Sequence, residues 1–363
     1  MIRTMIFLLL LLSFSCHRGG EQDSNNPLPV KFGDPYVLLA SDGRYYMYGT
    51  GVVEDGFGVY VSSDLETWTF EGPVYHGNTD SSWTVANFWA PEVYEIGDKY
   101  YMFFSADWRY NPTNELENFR IGVAVSDQPT GPFTDVSDTP LFDPGYPVID
   151  ANLYVGEEKI YLYYSRCCYE HPVESDAAEW AREMNLFDEV EESWVYGVEL
   201  SPDLDTIIGD PVLLLRPPKS KSDAQYEWES RSVTSGEINR RWTEGSFIFK
   251  HEDTYYMMYS ANYFGGEHYA VGYATSDHPM GPFTKAPNNP VLEKNTGDGG
   301  VVSGTGHNSI TWSRDGDTMY CVYHGRTTKT GDQRVVFIDE MEITEDGTLM
   351  VHGPTVSETA NPE

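Results

Sequence analysis

The chain has 363 residues, enough for two ordinary domains or one large all-β domain. Its 23 Lys and Arg against 57 Asp and Glu leave a formal charge of −34, which argues against nucleic acid or an anionic membrane surface as partner, since both would repel it. The 26 Tyr, 17 Phe and 9 Trp suit strands and sugar-binding surfaces alike, so that count does not separate the two.

The chain begins MIRTMIFLLLLLSFSCHRGG: one cation, Arg3, then an apolar run from Met5 to Leu12, small residues and Cys16. The run is too short to span a bilayer and fits an export signal. Ser13-Phe14-Ser15-Cys16 resembles a bacterial lipoprotein cleavage site, although Leu is preferred three residues before the Cys. Residues 1–16 are therefore read as a lipoprotein-type signal peptide and 17–30 as a linker, with Gly19 to Asn26 a flexible tether. Simple secretion after nearby cleavage is the alternative. Either way the mature protein is exported: as an outer-membrane lipoprotein, periplasmic or at the cell surface and attached to the membrane only through lipidated Cys16, or, in the alternative, secreted.

From residue 31 onward one outline recurs five times: a turn residue, a short apolar strand, a polar turn, an aromatic strand. The five copies are DPYVLLASDGRYYMYGT from Asp34, APEVYEIGDKYYMFFSA from Ala90, DANLYVGEEKIYLYYSR from Asp150, EGSFIFKHEDTYYMMYSA from Glu244 and HNSITWSRDGDTMYCVYHG from His307. Their first positions lie 56, 60, 94 and 63 residues apart. Loops such as SDG, GDK and HED are hairpin signals. A third strand-like run follows each hairpin, and often a fourth: FRIGVAVSDQPTGPFTDV, YAVGYATSDHPMGPFTKA and QRVVFIDEMEITEDGTLMVHG are three examples. Five four-stranded units at this spacing predict an all-β, five-bladed β-propeller over 31–354, with 355–363 a C-terminal tail. A pair of stacked sandwiches is the competing architecture and does not require the outline five times.

The long third interval predicts two insertions. His171 to Trp194 is rich in Ala, Glu and Met and is the one good helix candidate, whereas Arg216 to Trp242 begins as a loop and carries Trp228. Such insertions often border a binding site, or they are decoration. Cys167 and Cys168 are adjacent, a spacing that strains a mutual disulfide, and Cys321 in TMYCVYHG reads as a buried free thiol. No CxxC-type metal spacing is present.

The first strand of a propeller blade is innermost, so the five first positions converge on the central channel. Asp34, Ala90, Asp150, Glu244 and His307 occupy them, and three are acids. A carboxylate near others and near apolar walls costs free energy unless it is used or paired. Glycoside hydrolysis uses such a group: a protonated carboxyl donates to the leaving oxygen while an ionised one activates water or attacks. A third acid raises the donor's pKa by repulsion and holds its orientation.

The stretches GDPYV with YYMYGT, FWAPEVYEIGDKYYMFFS, IDANLYV, WTEGSF and GTGHNS with VYHG together resemble glycoside hydrolase family 43 from about Lys31 to Gly353. The resemblance implies a five-bladed propeller, an inverting mechanism and an oligo- or polysaccharide substrate. It implies Asp34 as general base, Glu244 as general acid and Asp150 as the residue that tunes the acid's pKa. Asp150 is followed by Ala151 where the family usually has Pro. By the same resemblance Arg334 approaches the sugar, and His307 holds a cation, commonly calcium, or water in the channel; no cofactor is required. Trp89 is read as a wall of the sugar pocket or as core, with Trp228, Tyr263 and Phe264 as weaker candidates. The function expected is an exo-acting glycosidase for terminal α-L-arabinofuranosyl or β-D-xylosyl residues of plant or algal polysaccharides, other furanosyl or galactosyl residues being within range. A carbohydrate-binding propeller without catalysis is the alternative. A scaffold of the WD-repeat kind is disfavoured, because such propellers need no axial acids and their Trp-Asp strand endings are absent.

Overall fold

The computed structural model describes residues 25–109, 118–231 and 238–357. The signal peptide and Cys16 lie outside the described residues. Five four-stranded antiparallel sheets follow one another along the chain. Their inner strands are Gly33–Leu39, Trp89–Ile96, Val148–Val155, Thr243–His251 and Val302–Trp312. These strands contact one another in a ring, and each is hairpin-paired with the second strand of its own blade. The architecture is the five-bladed propeller that the repeat predicted.

Aromatic strands fill the space between blades. Tyr36, Tyr46, Phe57, Tyr75, Trp83 and Phe104 form one buried cluster between blades 1 and 2, with Tyr75 and Phe104 centred 4.8 Å apart. Tyr256, Met258, Tyr273, Tyr323 and Phe337 do the same between blades 4 and 5. Each well-placed aromatic pair adds about 1 kcal/mol beyond the area it buries. The aromatic second strands of the repeat are thus the glue between neighbouring blades.

The ring closes earlier in the chain than the boundary at residue 31. Leu28 and Val30 are buried against Val322 and Val336. The Leu28 N–H donates to the Val336 carbonyl at 2.9 Å, and the Val336 N–H donates to Val30 at 3.1 Å. Asn26 donates to Ile338 O and accepts from Ile338 N–H, both at 2.9 Å. Residues 26–30 therefore continue the outer edge of blade 5, whose C-terminal strand Leu349–Val351 pairs further along the same strand. The expected linker loses its last five residues to the propeller, because its Leu and Val bury and its backbone groups find partners. The tail is also tied in as far as Ser357, whose N–H donates to Asn26 O at 2.8 Å.

The insertion around blade 3 holds the predicted helix, Asp176–Glu183, capped by the Ser175 side chain. A parallel pair of short strands, Glu189–Glu192 and Ile238–Arg241, joins the two insertions. Glu191 pairs with Arg240 at 2.8 Å, and buried Glu192 pairs with Arg241 at 3.1 Å and Arg216 at 2.7 Å. This ionic clamp ends one residue before Trp242, directly ahead of the strand that carries Glu244. The insertions are therefore coupled to the site. Cys167, Cys168 and Cys321 are buried free thiols.

Candidate active site

Each inner strand begins with a bulge that places one residue at positive φ: Asp34 at 54°, Ala90 at 45°, Asp150 at 60°, Gly245 at 56° and His307 at 50°. Strand register identifies these five as equivalent. Gly33, Trp89, Ile149, Glu244 and Gly306, each one residue earlier, pair with Thr50, Ser105, Ser165, Ser260 and His324 on the second strands. Glu244 is therefore not equivalent to Asp34 and Asp150, as the sequence outline had it. It stands one residue ahead, and Gly245 takes the strained position. A Cβ on Gly245 would crowd the His307 ring, coming within 3.1 Å of it. Two acids share one ring level, and the third enters from the level beside it.

The second-strand residues lock the ring together. The Ala90 N–H donates to Thr50 Oγ1 at 2.8 Å, Asp150 N–H to Ser105 Oγ at 3.1 Å, Gly245 N–H to Ser165 Oγ at 3.3 Å and His307 N–H to Ser260 Oγ at 2.7 Å. The Asp34 N–H closes the circle by donating to His324 Nδ1 at 3.1 Å. Each blade thus fixes the positive-φ residue of the next. A position that costs about 1–3 kcal/mol of strain persists because its surroundings over-determine it.

Two further side chains occupy the space above glycines. A Cβ on Gly33 would lie 1.9 Å from the Arg334 guanidinium, and one on Gly306 would lie 2.2 Å from the Tyr269 ring. These glycines let Arg334 and Tyr269 reach the acids. Arg334 Nη1 donates to Asp34 Oδ1 at 2.9 Å, and the Tyr269 hydroxyl donates to Glu244 Oε1 at 3.1 Å. Tyr269 also stacks on His324 at 5.6 Å.

The three acids are almost equally hidden. Asp150 and Glu244 are 8 % and 7 % exposed, and the Asp34 side chain 11 %. Burial works to raise the Asp34 carboxyl, but Arg334, His307 at 3.4 Å and the Thr50 hydroxyl at 2.6 Å outweigh it, and Asp34 lies well below the usual carboxylate range. His324 is kept neutral, chiefly by burial and then by Arg334, so it serves as an acceptor rather than a charge. Glu244 is pushed well above the carboxylate range by burial, then by Asp150 and Cys167, with Tyr269 opposing. Asp150 is raised by burial and by Asp34, while His307, the Gly245 N–H at 3.1 Å and Ser165 hold it back. The site therefore offers one carboxyl held low and one pushed high, with a third acid on the blade next to the raised one. That is the equipment for acid–base chemistry on one bond.

Trp89 leaves the ring at the level of Glu244 and packs on Phe119 at 4.4 Å, beside Ile149, Cys167 and Trp242. Trp228 is buried against Tyr259 and belongs to the core. Tyr263 and Phe264 are exposed beside the site. His307 lies between Asp34 and Gly245. Calcium takes six to eight oxygen ligands. Among the described residues no group of three His, Cys, Asp or Glu side chains is arranged to hold a metal, so side chains alone do not supply that ligand set around His307.

Sequence reasoning missed Tyr269, His324 and Arg326. Tyr269 and Arg334 are equivalent, each directly before the third strand of its blade, Ala270–Ser276 and Val335–Ile343. Aligning YAVGYATSD with RVVFIDE would have shown it. His324 ends the aromatic run where the other blades have Thr50, Ser105, Ser165 and Ser260, which the repeat also displays. Arg326 is buried, its Nη2 donating to Phe264 O at 2.9 Å and its Nη1 left without a partner. No signal in the outline marked it.

Buried carboxyls gathered at the axis of a five-bladed propeller are groups of the kind that glycoside hydrolysis uses. The model of glycosyl hydrolases family 43 matches residues 24–349, and the chain belongs to that family. It is 27 % identical over 350 residues to a β-D-galactofuranosidase of Aspergillus niger, covering 90 % of this chain and 84 % of that one. A xylosidase/arabinosidase of Bacteroides ovatus is 26 % identical, over 69 % of this chain and 75 % of its own. Among solved structures, a thermostable family-43 glycoside hydrolase superposes with a TM-score of 0.77 at 35 % identity, covering 94 % of this chain and 98 % of that chain. The protein is a glycoside hydrolase.

Proposed function

We propose that the protein is an exported, inverting, exo-acting glycosidase that removes terminal α-L-arabinofuranosyl or β-D-xylosyl residues from plant or algal polysaccharides. Other furanosyl residues, including galactofuranosyl, and galactosyl residues are the neighbouring substrates. The observation that carries the reading is the contrast in setting: Asp34 is bonded by the Arg334 guanidinium, whereas Glu244 is buried with only the Tyr269 hydroxyl on it, so their carboxyl pKa values are driven in opposite directions. Water attacks the anomeric carbon as Asp34 takes its proton, and the glycosidic bond breaks as Glu244 gives its proton to the leaving oxygen. Asp150 keeps that proton on Glu244 until the transition state. Trp89 walls the sugar and Arg334 holds both Asp34 and the sugar's hydroxyl face.

The glycone assignment draws on the relatives, which include the B. ovatus xylosidase/arabinosidase and an exo-α-(1→5)-L-arabinofuranosidase of Streptomyces chartreusis at 25 % identity. Exo action is favoured by the insertions clamped beside the acid. Export rests on the apolar run from Met5 and on Cys16, with lipidation at Cys16 as the attachment.

A panel of natural and aryl glycosides, with the released sugar identified and the first-formed anomer followed by NMR, tests the reading. Inversion with arabinose or xylose released is the expected result. A retained anomer overturns the mechanism, and no release from any glycoside returns the propeller to carbohydrate binding alone.

A further inference from the structure

Two large aromatic side chains are exposed beside the buried acids. Tyr263 and Phe264 are 37 % and 41 % exposed, although aromatic surface of this size is usually buried. They lie on the loop that continues the strand Thr254–Ala261, whose Ser260 is paired with Glu244. The Phe264 ring sits 5.2 Å from the guanidinium carbon of Arg334, which bonds Asp34. Tyr263 packs against Trp242 at 5.4 Å and Phe264 at 5.0 Å. An aromatic surface thus runs from the residue two before the acid to the arginine that holds the base.

The loop is fixed, not merely exposed. Asn262, at φ 76°, accepts from Arg231 N–H at 2.8 Å and donates to Trp228 O at 2.6 Å and His268 O at 3.0 Å. Gly266 N–H donates to Tyr263 O at 2.9 Å, and Arg326 grips the Phe264 carbonyl. Gly265 leaves room for the Tyr263 ring, since a Cβ there would approach Tyr263 Cε1 to 2.5 Å. Aromatic faces held rigidly at the surface are suited to the C–H face of a sugar ring, because little side-chain freedom is lost on binding.

We propose that Tyr263 and Phe264 form the platform for the sugar ring on the leaving-group side of the scissile bond. The inference rests on the glycosidase reading. The cleaved sugar must reach Asp34 and Glu244, and the exposed Phe264 ring, against the Arg334 that bonds Asp34, is placed with Tyr263 to meet the ring attached to it. The occupant is a neutral sugar ring presenting an apolar face.

Two substrate pairs test this in the full-length protein: α-1,5-arabinobiose with methyl α-L-arabinofuranoside, and xylobiose with methyl β-D-xyloside. The methyl glycosides share the cleaved sugar but lack the second ring. Tyr263→Ala and Phe264→Ala are each expected to lower kcat/KM on the disaccharide, mainly through KM, by about tenfold more than on the methyl glycoside. Phe264→Trp is expected to keep disaccharide turnover, and Gly265→Ala to imitate Tyr263→Ala. Equal loss on both members of a pair would assign the aromatics a structural role and overturn the platform, as would no loss on either. Wild-type protein inert on both pairs would instead bring down the glycone reading, and the platform with it.

Discussion

Asp34 and Glu244 stand on neighbouring levels of one ring, are similarly buried, and are driven in opposite directions. Around Asp34 the chain gathers Arg334, His307 and a Thr hydroxyl, and the carboxylate stays ionised. Around Glu244 it gathers Asp150 and Cys167, which with burial push the carboxyl well above the carboxylate range against the Tyr269 hydrogen bond. Desolvation is the largest influence at both, and at both it favours the neutral acid. Only the groups set beside it differ, so the neighbours and not the burial send the two carboxyls in opposite directions.

Removing either end of the pair gives the largest effect. Asp34→Asn and Glu244→Gln are each expected to lower kcat about 10³-fold or more. For Glu244→Gln the loss should shrink on aryl glycosides whose leaving group needs no proton. Steady-state kinetics on a leaving-group series checks this; near-normal turnover with a poor leaving group would remove Glu244 from the donor role. Next in size is Arg334→Met, which takes the adjacent cation from Asp34. The Asp34 carboxyl then moves up, so activity should fall at a higher pH on the acid side, with a loss of about 10²-fold at neutral pH. An acid limb that does not move would mean that Arg334 serves only the substrate.

The ring itself was legible because hairpin loops, aromatic second strands and acids at strand starts all have a one-dimensional outline. Asp34, Asp150 and His307 were placed at their level by that outline alone. Glu244 was placed one residue wrong, since EGSF and DPYV look alike until register shows the bulge centred on Gly245. Tyr269 has no place in the hairpin outline, because it stands directly before the third strand of its blade. Arg326 escaped for a deeper reason: its value lies in a contact with the loop of another blade, a tertiary fact with no local pattern. Residues 26–30 were given to a linker for the same reason, as their partners on blade 5 lie some 300 positions away.

The third change leaves Asp34 and Glu244 in place and alters only the acid on the blade beside Glu244. Asp150→Asn removes the largest charge that raises Glu244. The donor's pKa then falls, and since activity is lost on the alkaline side as the donor deprotonates, the alkaline limb should move to lower pH by about one unit. The rate at the optimum should fall by about tenfold, less than for the base or the donor. A limb that stays put would show that burial alone holds the Glu244 proton.

The smallest effect is on stability, and its sign follows from the same contrast. A carboxyl raised in the folded protein binds its proton more tightly there than in the unfolded chain. Its contribution is therefore favourable at low pH and declines as pH rises beyond the unfolded value, up to the folded one. Asp34, held low, behaves oppositely: its stabilisation is present above the unfolded carboxylate value and is lost as pH falls toward its folded one. Glu244→Gln abolishes the first dependence without leaving a cavity and keeps an acceptor for the Tyr269 hydroxyl. At neutral pH the variant should thus melt about 2 °C or more above the parent, with the gap closing near pH 4. Thermal denaturation at the two pH values measures it. If Glu244→Gln melts lower at neutral pH, the protonated carboxyl is a structural support and not a cost carried for catalysis.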